Sequence, residues 1–129
     1  VLAYGAGFVA QGTPADMAGL TAVIEEAIRY PGFAFVNVQS PCVTYGQENQ
    51  QIKAHREQMK TLASLGHDAT NMAAALARAQ HYGSELYTGV FYKNPQPPQT
   101  FEAQARERQT QLGPSARPRD RILDMFRQQ

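Results

Sequence analysis

Cys42 carries the most reactive side chain of this sequence and is the one cysteine among its 129 residues. A thiolate can attack an electrophile or bind a soft metal such as iron, whereas a thiol buried among apolar groups behaves as a small hydrophobic residue. The residue types around Cys42 leave all three roles open. Because one cysteine cannot form an internal disulfide, nothing indicates a secreted scaffold, and a reducing cytoplasm is the expected compartment.

The other residue types give no catalytic set. The histidines, at positions 55, 67 and 81, lack the close pairing of zinc sites, so no zinc is expected. His55 falls on the thin apolar line of a predicted helix, where a packed or solvated histidine is more common than a ligand. The sequence contains no informative pair of carboxylates, no serine elbow and no phosphate loop, so no catalytic residue is assigned.

A glycine pattern near the start, Gly5-x-Gly7-x-x-Ala10, formally matches a dinucleotide-binding fingerprint. That fingerprint needs a strand before its glycines and a helix directly after them. Here the glycines come first, and the residues from Phe8 to Ala10 have the composition of a strand. The match is therefore rejected as a nucleotide site.

The predicted position of Cys42 follows from the strand before it. Phe33 to Val38 is rich in aromatic and β-branched residues, which favours a strand. Pro41 cannot donate to a β ladder, so the strand should end about there. Cys42 then lies just past the carboxyl end of a strand, which is the edge where open α/β sheets bind ligands and cofactors.

The residues upstream predict a strand, a helix and a second strand. Strands at 6–11 and 33–39 are expected to be adjacent and parallel, joined by a crossover helix at 14–29 that covers one face. Thr13 is predicted to cap that helix, with Pro14 at its first helical position. Its predicted apolar stripe consists of Met17, Leu20, Ile24, Ala27 and Ile28. The opposite face of the two strands needs a further cover.

The sequence after Gly46 is more polar and predicts mainly helices. In order, we expect a surface helix at 48–65, a helix at 71–82, a strand at 86–92 that forms an extended arm, a peripheral helix at 101–112, a linker at 113–118 and a terminal segment at 119–129.

Composition excludes several classes of function. The net charge is +1 and 18% of the residues are charged, which does not suggest nucleic-acid binding. No apolar run approaches the roughly 20 residues that a membrane span needs, and no signal segment opens the sequence. A soluble cytoplasmic chain without a membrane partner is the expectation.

The segment Pro41-Cys42-Val43-Thr44-Tyr45 behind an apolar strand resembles the Pro-Cys-Val-Thr-aromatic motif of the β subunit of 2-oxoacid:ferredoxin oxidoreductases, which use thiamine diphosphate. Four further runs resemble that family: Gly5–Ala10, Pro31–Ala34, His67-Asp68 and Gly89–Tyr92. The resemblance spans about Val1 to Phe101. One departure is Gly46, where the family usually has asparagine.

Two motifs of that family do not occur in these 129 residues: the Gly-Asp-Gly and Asn segment that holds diphosphate and Mg²⁺, and the amino-terminal Cys-x-x-Cys. The chain is therefore expected to be the carboxy-terminal part of a longer subunit. The resemblance implies an α/β fold, namely the end of a thiamine diphosphate-binding-type parallel sheet followed by a mostly helical extension with one more strand. Residues 1–46 would end the thiamine diphosphate-binding domain, 47–112 would form the extension, and 113–129 the tail.

The resemblance also implies an enzyme. Its reaction is the coenzyme A-dependent oxidative decarboxylation of a 2-oxoacid to acyl-CoA and CO₂, with electrons passed through a [4Fe–4S] cluster to ferredoxin. The Cys42 motif together with His67-Asp68 favours the 2-oxoglutarate branch over a pyruvate-specific enzyme. The implied partners are the α subunit, ferredoxin and coenzyme A.

The resemblance gives two residues of this chain a role at the cofactors. Cys42 becomes the fourth cysteine ligand of the [4Fe–4S] cluster, with three ligands outside these residues. The Thr44 hydroxyl could donate to a cluster sulfide, to bound substrate or to the backbone, although it could equally stabilise a turn. Tyr45 is expected to pack.

Thiamine diphosphate, Mg²⁺ and the cluster belong to the full subunit, and this chain alone is expected to bind none of them stably. Two other classes stay open: a non-catalytic assembly module that wraps an α subunit, and a free-standing thiol protein.

Overall fold

Four strands and four helices make up the described part of the chain, which comprises residues 1–42, 44, 48–81 and 85–112 of a computed structural model. In order they are β1 (Phe8–Gly12), α1 (Met17–Arg29), β2 (Ala34–Val38), α2 (Glu48–Gln58), β3 (Met59–Thr61), α3 (Met72–Ala79), β4 (Leu86–Lys93) and α4 (Phe101–Leu112). Short 3₁₀ helices cover Leu2–Tyr4 and Leu62–Leu65. The predicted α/β class is confirmed.

The strands form one sheet in the order β2-β1-β4-β3. β1 and β2 are parallel, with Phe8 opposite Ala34 and Gly12 opposite Val38, so the predicted strand-helix-strand unit is confirmed. β4 runs antiparallel to β1 and parallel to β3, so the sheet is mixed. Because β4 lies inside the sheet, the prediction that it forms an extended arm is wrong.

The start of α1 differs from the prediction. The helix begins at Met17 and is capped by Asp16, whose Oδ1 accepts from the Gly19 N–H at 3.0 Å. Thr13 was expected to cap a helix beginning at Pro14, but its hydroxyl accepts from the Ala15 N–H and lies against a histidine of α2. The predicted end of the helix at Arg29 is confirmed.

The face of α1 that packs on the sheet is rotated from the predicted stripe. Leu20 and Val23 are the buried residues of the helix. Met17, Ile24 and Ile28 were predicted to face inward but are exposed. Both sets have helical spacing, and contact with the sheet selects the set that continues to the buried ring of Tyr30.

The predicted helix at 48–65 is wrong in its second half. α2 ends at Gln58, after which β3 pairs with β4, with Met59 opposite Leu86 and Thr61 opposite Thr88. Leu62 then turns into the core, where it is 1% exposed. A strand partner far along the sequence therefore overrides the local helical preference.

The later elements follow the predictions more closely. α3 lies within the predicted helix at 71–82 and is capped by Asn71, whose Oδ1 accepts from the Ala74 N–H. The predicted bounds of α4 are confirmed. Some predictions concern residues outside those described: the packing of Tyr45, the departure at Gly46, the helix end near Tyr82, and the segments 113–118 and 119–129.

Apolar side chains pack on both faces of the sheet. The cluster under α1 consists of Phe8, Ala10, Leu20, Val23 and Tyr30. The cluster on the opposite face, to which α3 and the two 3₁₀ helices contribute, consists of Leu2, Ala6, Val9, Leu62, Ala75, Tyr87 and Phe91. The chain therefore supplies at least part of the cover that this face needs.

The chain divides into two compact units, of which the first ends at Pro98 and the second starts at Gln99. Helix α4 belongs to the second unit. Within the described ranges, no helix combines the length and the apolar character that crossing a membrane requires. The predicted boundaries after residues 46 and 112 concern parts of the family's subunit and stay predictions.

Candidate functional site

Cys42 lies just beyond β2, at the carboxyl edge of the two parallel strands. Two hydrogen bonds fix the backbone as it leaves the strand: the Gln39 N–H donates to the carbonyl of Gly12 at 2.8 Å, and the Ser40 N–H to the carbonyl of Val38 at 3.0 Å. Cys42 itself is exposed. The predicted position is confirmed, and the Cys42 side chain is not buried by the described residues of this chain.

Thr44 is also exposed. Its predicted contact with a cofactor stays a prediction, as does the assignment of Cys42 to a metal cluster.

A row of amide side chains, which the sequence analysis missed, lies on one face of the same edge. The Asn37 Nδ2 donates to the Oε1 of Gln11 at 2.7 Å, and the Gln39 Nε2 to the same oxygen at 3.4 Å. The Gln11 Nε2 donates to the carbonyl of Tyr87 at 2.7 Å, which ties the row to β4. The parallel register places Gln11 opposite Asn37, so the pair could have been found once the two strands were aligned.

The amide row lines a cavity of about 500 Å³ between the sheet and α3. Its walls include the side chains of Val9 and Phe35 from the sheet and Leu76 from α3. Neither Cys42 nor Thr44 is among the described residues that line it. The cavity and the exposed thiol are therefore separate features of this edge.

A hydrogen-bonded cluster closes one side of the cavity. The Tyr87 hydroxyl donates to the Glu85 Oε2 at 2.5 Å and accepts from the Arg78 Nη1 at 3.1 Å. The hydrogen bond between Tyr87 and Glu85 lowers the pKa of Glu85 and raises the pKa of Tyr87. The Arg78 guanidinium also lies 5.1 Å from the centre of the Tyr87 ring. Since these groups bind one another, the cluster joins the end of α3 to β4.

The histidines do not come together at a metal site. His55 Nδ1 lies 2.9 Å from the hydroxyl oxygen of Thr13. His67 Nε2 lies 2.8 Å from the carbonyl oxygen of Phe91, and because a carbonyl only accepts, this nitrogen carries a proton. His81 lies beside Tyr87, with ring centres 5.7 Å apart. In the part of the chain that the structure describes, no three His, Cys, Asp or Glu side chains are grouped to hold a metal ion.

A short polar segment attaches β4 to the residues before α3. The Asp68 Oδ1 accepts from the backbone N–H of Thr70 at 2.9 Å and from its hydroxyl at 2.7 Å. The hydroxyl and backbone hydrogen bonds from Thr70 lower the pKa of Asp68. The Lys93 N–H donates to the carbonyl of Ala69, so this turn is bonded directly to the last residue of β4.

Comparison with known proteins identifies the family. The family model for the C-terminal region of the pyruvate ferredoxin oxidoreductase beta subunit matches residues 42–109, which is more than half of the chain. The chain belongs to this family. The matched region begins at Cys42 and includes α2, α3 and all of β3 and β4.

Two curated relatives are named as β subunits of a 2-oxoacid:ferredoxin oxidoreductase. The protein from Aeropyrum pernix, named subunit beta of 2-oxoacid:ferredoxin oxidoreductase 1, is 29% identical over an alignment covering 73% of this chain and 32% of the relative. The protein from Saccharolobus solfataricus is 27% identical, covering 78% of this chain and 36% of the relative. The chain thus spans about a third of the length of these relatives.

A solved structure has a similar fold. It is the 2-oxoglutarate:ferredoxin oxidoreductase from Magnetococcus marinus, with 2-oxoglutarate, coenzyme A and succinyl-CoA bound. The TM-score is 0.73 at 25% sequence identity, and the alignment covers 96% of this chain and 42% of that chain. The resemblance to this family of oxidoreductase β subunits, drawn from the Cys42 motif, is confirmed.

Proposed function

We propose that this chain acts as the carboxy-terminal part of the β subunit of a 2-oxoacid:ferredoxin oxidoreductase, with Cys42 as one thiolate ligand of a [4Fe–4S] cluster. The observation that carries the proposal is the exposed Cys42 at the carboxyl edge of β1 and β2, the first residue of the family-matched region. An exposed thiol at an anchored strand end can reach a metal that lies outside the chain's own core.

The donor chemistry of this chain fits one corner of such a cluster. Each iron takes a soft sulfur ligand, and a cysteine thiolate is the ligand that Fe–S clusters use most. The chain has one cysteine, so three ligands must come from elsewhere in the enzyme. When bound, the cluster supplies one-electron transfer to ferredoxin. Cys42 would hold it, and the hydrogen bonds of Gln39 and Ser40 hold the backbone that carries Cys42.

Thiamine diphosphate and Mg²⁺ are proposed for the whole enzyme and are assigned no ligands in this chain, because the sequence has no Gly-Asp-Gly segment. Thr44 is proposed to donate its hydroxyl to the cluster or to bound substrate, since it is exposed two residues beyond Cys42. Residues 1–46 would complete the thiamine diphosphate-binding domain, 47–112 the extension of the β subunit, and 113–129 its tail.

The proposed reaction is the coenzyme A-dependent oxidative decarboxylation of a 2-oxoacid to acyl-CoA and CO₂, with ferredoxin as electron acceptor. 2-Oxoglutarate is the favoured substrate, and the similar Magnetococcus enzyme, which binds 2-oxoglutarate and succinyl-CoA, supports that choice over pyruvate. The proposed protein partners are an α subunit and ferredoxin. A thiolate ligand suits a reducing compartment, so the cytoplasm is the proposed location.

The test replaces Cys42 in the complete β subunit, purified together with its α subunit. Cys42→Ser and Cys42→Ala should remove at least about half of the cluster iron and the matching visible absorption, and lower the rate of ferredoxin reduction at least about tenfold, because neither residue offers a thiolate. Ser40→Ala, at an exposed position two residues away, is the matched control. Iron content and visible spectra are measured on all four proteins.

Unchanged iron content and spectrum in Cys42→Ala would contradict the ligand assignment. Circular dichroism on the same samples shows whether the fold is retained. Because Cys42 is exposed, its truncation should leave folding intact.

A further inference from the structure

The segment that carries Cys42 is attached on both sides to one short stretch of chain, which comprises the last residue of β1 and the connection from β1 to α1. Upstream of Cys42, the Gln39 N–H donates to the carbonyl of Gly12. Downstream, α2 returns to the residues that follow Gly12. Only five residues, 43–47, separate Cys42 from the start of α2, so the placement of α2 limits where Cys42 can lie.

Two polar contacts join α2 to that connection. The Nδ1 of His55 lies 2.9 Å from the hydroxyl oxygen of Thr13, and the Nε of Arg56 donates to the carbonyl of Ala15 at 3.3 Å. Thr13 is 1% exposed, and its hydroxyl also accepts from the Ala15 N–H. The Thr13 hydroxyl is therefore held in place by a hydrogen bond within the connection itself, in addition to its contact with His55.

Apolar packing contributes little to the placement of α2. None of the residues from 49 to 58 is buried, in contrast to α1, where Leu20 and Val23 are. A helix without a buried face depends on its specific polar contacts for a fixed position. A metal ligand, in turn, must be held to within about 0.5 Å of its productive geometry.

We propose that Thr13 and His55 are positioning residues, whose contact fixes α2 and through it the orientation of Cys42. The importance of that orientation for a cluster rests on the proposed function. The contact itself does not, because it can be tested on the 129-residue chain without any cofactor.

The experiment attaches a nitroxide label to Cys42, the one cysteine of the chain, and records its electron paramagnetic resonance spectrum. Thr13→Val keeps the shape of the side chain and removes the hydroxyl, while Thr13→Ser keeps the hydroxyl. His55→Leu removes the ring nitrogen, while His55→Asn keeps a polar atom branching from the same position. In Thr13→Val and His55→Leu the label should become more mobile. In Thr13→Ser and His55→Asn its spectrum should match that of the wild type.

Hydrogen exchange of the α2 amides provides a second measurement on the same proteins. Exchange at residues 48–58 should accelerate about fivefold in Thr13→Val and in His55→Leu, and stay within about twofold of the wild type in the conservative variants. Exchange in α1 is the internal control, since a general loss of stability would accelerate α1 as well. His55 is only half-buried, so His55→Leu decides the matter if Thr13→Val fails to fold.

Identical label spectra in the wild type and in His55→Leu would overturn the proposal. An equal acceleration of exchange in α1 and α2 would overturn it too, because the contact would then be merely structural. If Cys42→Ser leaves the cluster iron of the complete enzyme unchanged, the proposed function fails, but the positioning of Cys42 by Thr13 and His55 still stands or falls on the label spectra.

Discussion

Gly7 and Tyr30 offer the sharpest test of the packing beneath α1. A Cβ atom on Gly7 would lie 2.5 Å from the hydroxyl oxygen of Tyr30 and 3.1 Å from two of its ring carbons. The ring cannot move away easily, because Tyr30 is 7% exposed and packs on Phe8 with centroids 5.6 Å apart. The backbone of Gly7 is held as well, since its carbonyl accepts from the Asn94 N–H at 2.8 Å.

Gly7→Ala should therefore lower the free energy of unfolding by about 1–3 kcal/mol, the usual cost of an overpacked core. Tyr30→Phe should have the opposite sign. Among the described residues the buried Tyr30 hydroxyl has no hydrogen-bond partner, and an unpaired buried polar group costs roughly 1–3 kcal/mol. Removing it should leave stability unchanged or raise it by about 1 kcal/mol.

The two changes should interact. In a Tyr30→Phe background the nearest atoms to the new methyl group are ring carbons at 3.1 Å, so Gly7→Ala should cost about 1–2 kcal/mol less than in the wild type. Urea unfolding followed by circular dichroism measures all four proteins, because the chain has no tryptophan to report by fluorescence. Tyr4→Phe, at a site that is 96% exposed, is the matched control and should have no effect.

The same pair predicts a dependence on alkaline pH. Burial raises the pKa of Tyr30, so ionisation favours the unfolded chain. The wild type should hold this contribution below about pH 10 and lose it as the pH rises towards the folded-state pKa, whereas Tyr30→Phe should not. For the double-variant comparison, an equal cost of Gly7→Ala in the wild type and in Tyr30→Phe would refute the close contact between Gly7 and the Tyr30 hydroxyl.

Two further predictions concern the turn before α3 and the cofactors. Asp68→Asn should lower stability at neutral pH, because the hydrogen bonds from Thr70 lower the folded-state pKa of Asp68. The difference in stability from the wild type should shrink as the pH falls below about 4 and vanish below the folded-state pKa. Urea unfolding midpoints at several pH values measure this difference. Titration calorimetry of the 129-residue chain with thiamine diphosphate and Mg²⁺ should show no micromolar binding, and such binding would mean that the diphosphate site has been misplaced.

Local patterns predicted the elements that precede Cys42 and failed where distant strands compete. The strand within Phe33 to Val38 and its end before Pro41 could be predicted, because strand composition and the missing N–H of proline act within a few residues. β3 was not, because Met59 to Thr61 has no strand pattern of its own and becomes a strand only by pairing with β4. The α1 stripe was right for Leu20 and Ala27, which pack on the sheet, and wrong for Met17, Ile24 and Ile28, because two helical faces were apolar and only contact with the sheet selects between them.

The same distinction between local sequence and distant pairing applies to the residues of the candidate site. The place of Cys42 in the chain order, just past the end of β2, could be predicted from one strand pattern and one proline. The amide row of Gln11 depends on the register of three strands, which no single stretch of sequence encodes. The contact between Thr13 and His55 joins residues 42 positions apart, and the hydroxyl that makes it had a plausible local use as a helix cap.

Cys42 lies at the start of the family-matched region, but the sheet that places it is built from both sides of that point. β4 belongs to the matched region and pairs with β1, which precedes it. Without β1, the antiparallel edge of β4 would be unpaired, and such an edge is open to association with other strands. The compact unit accordingly runs from Val1 to Pro98. A boundary after residue 46 would therefore fall inside one compact unit, which contains the strand before Cys42 as well as the strands that follow it.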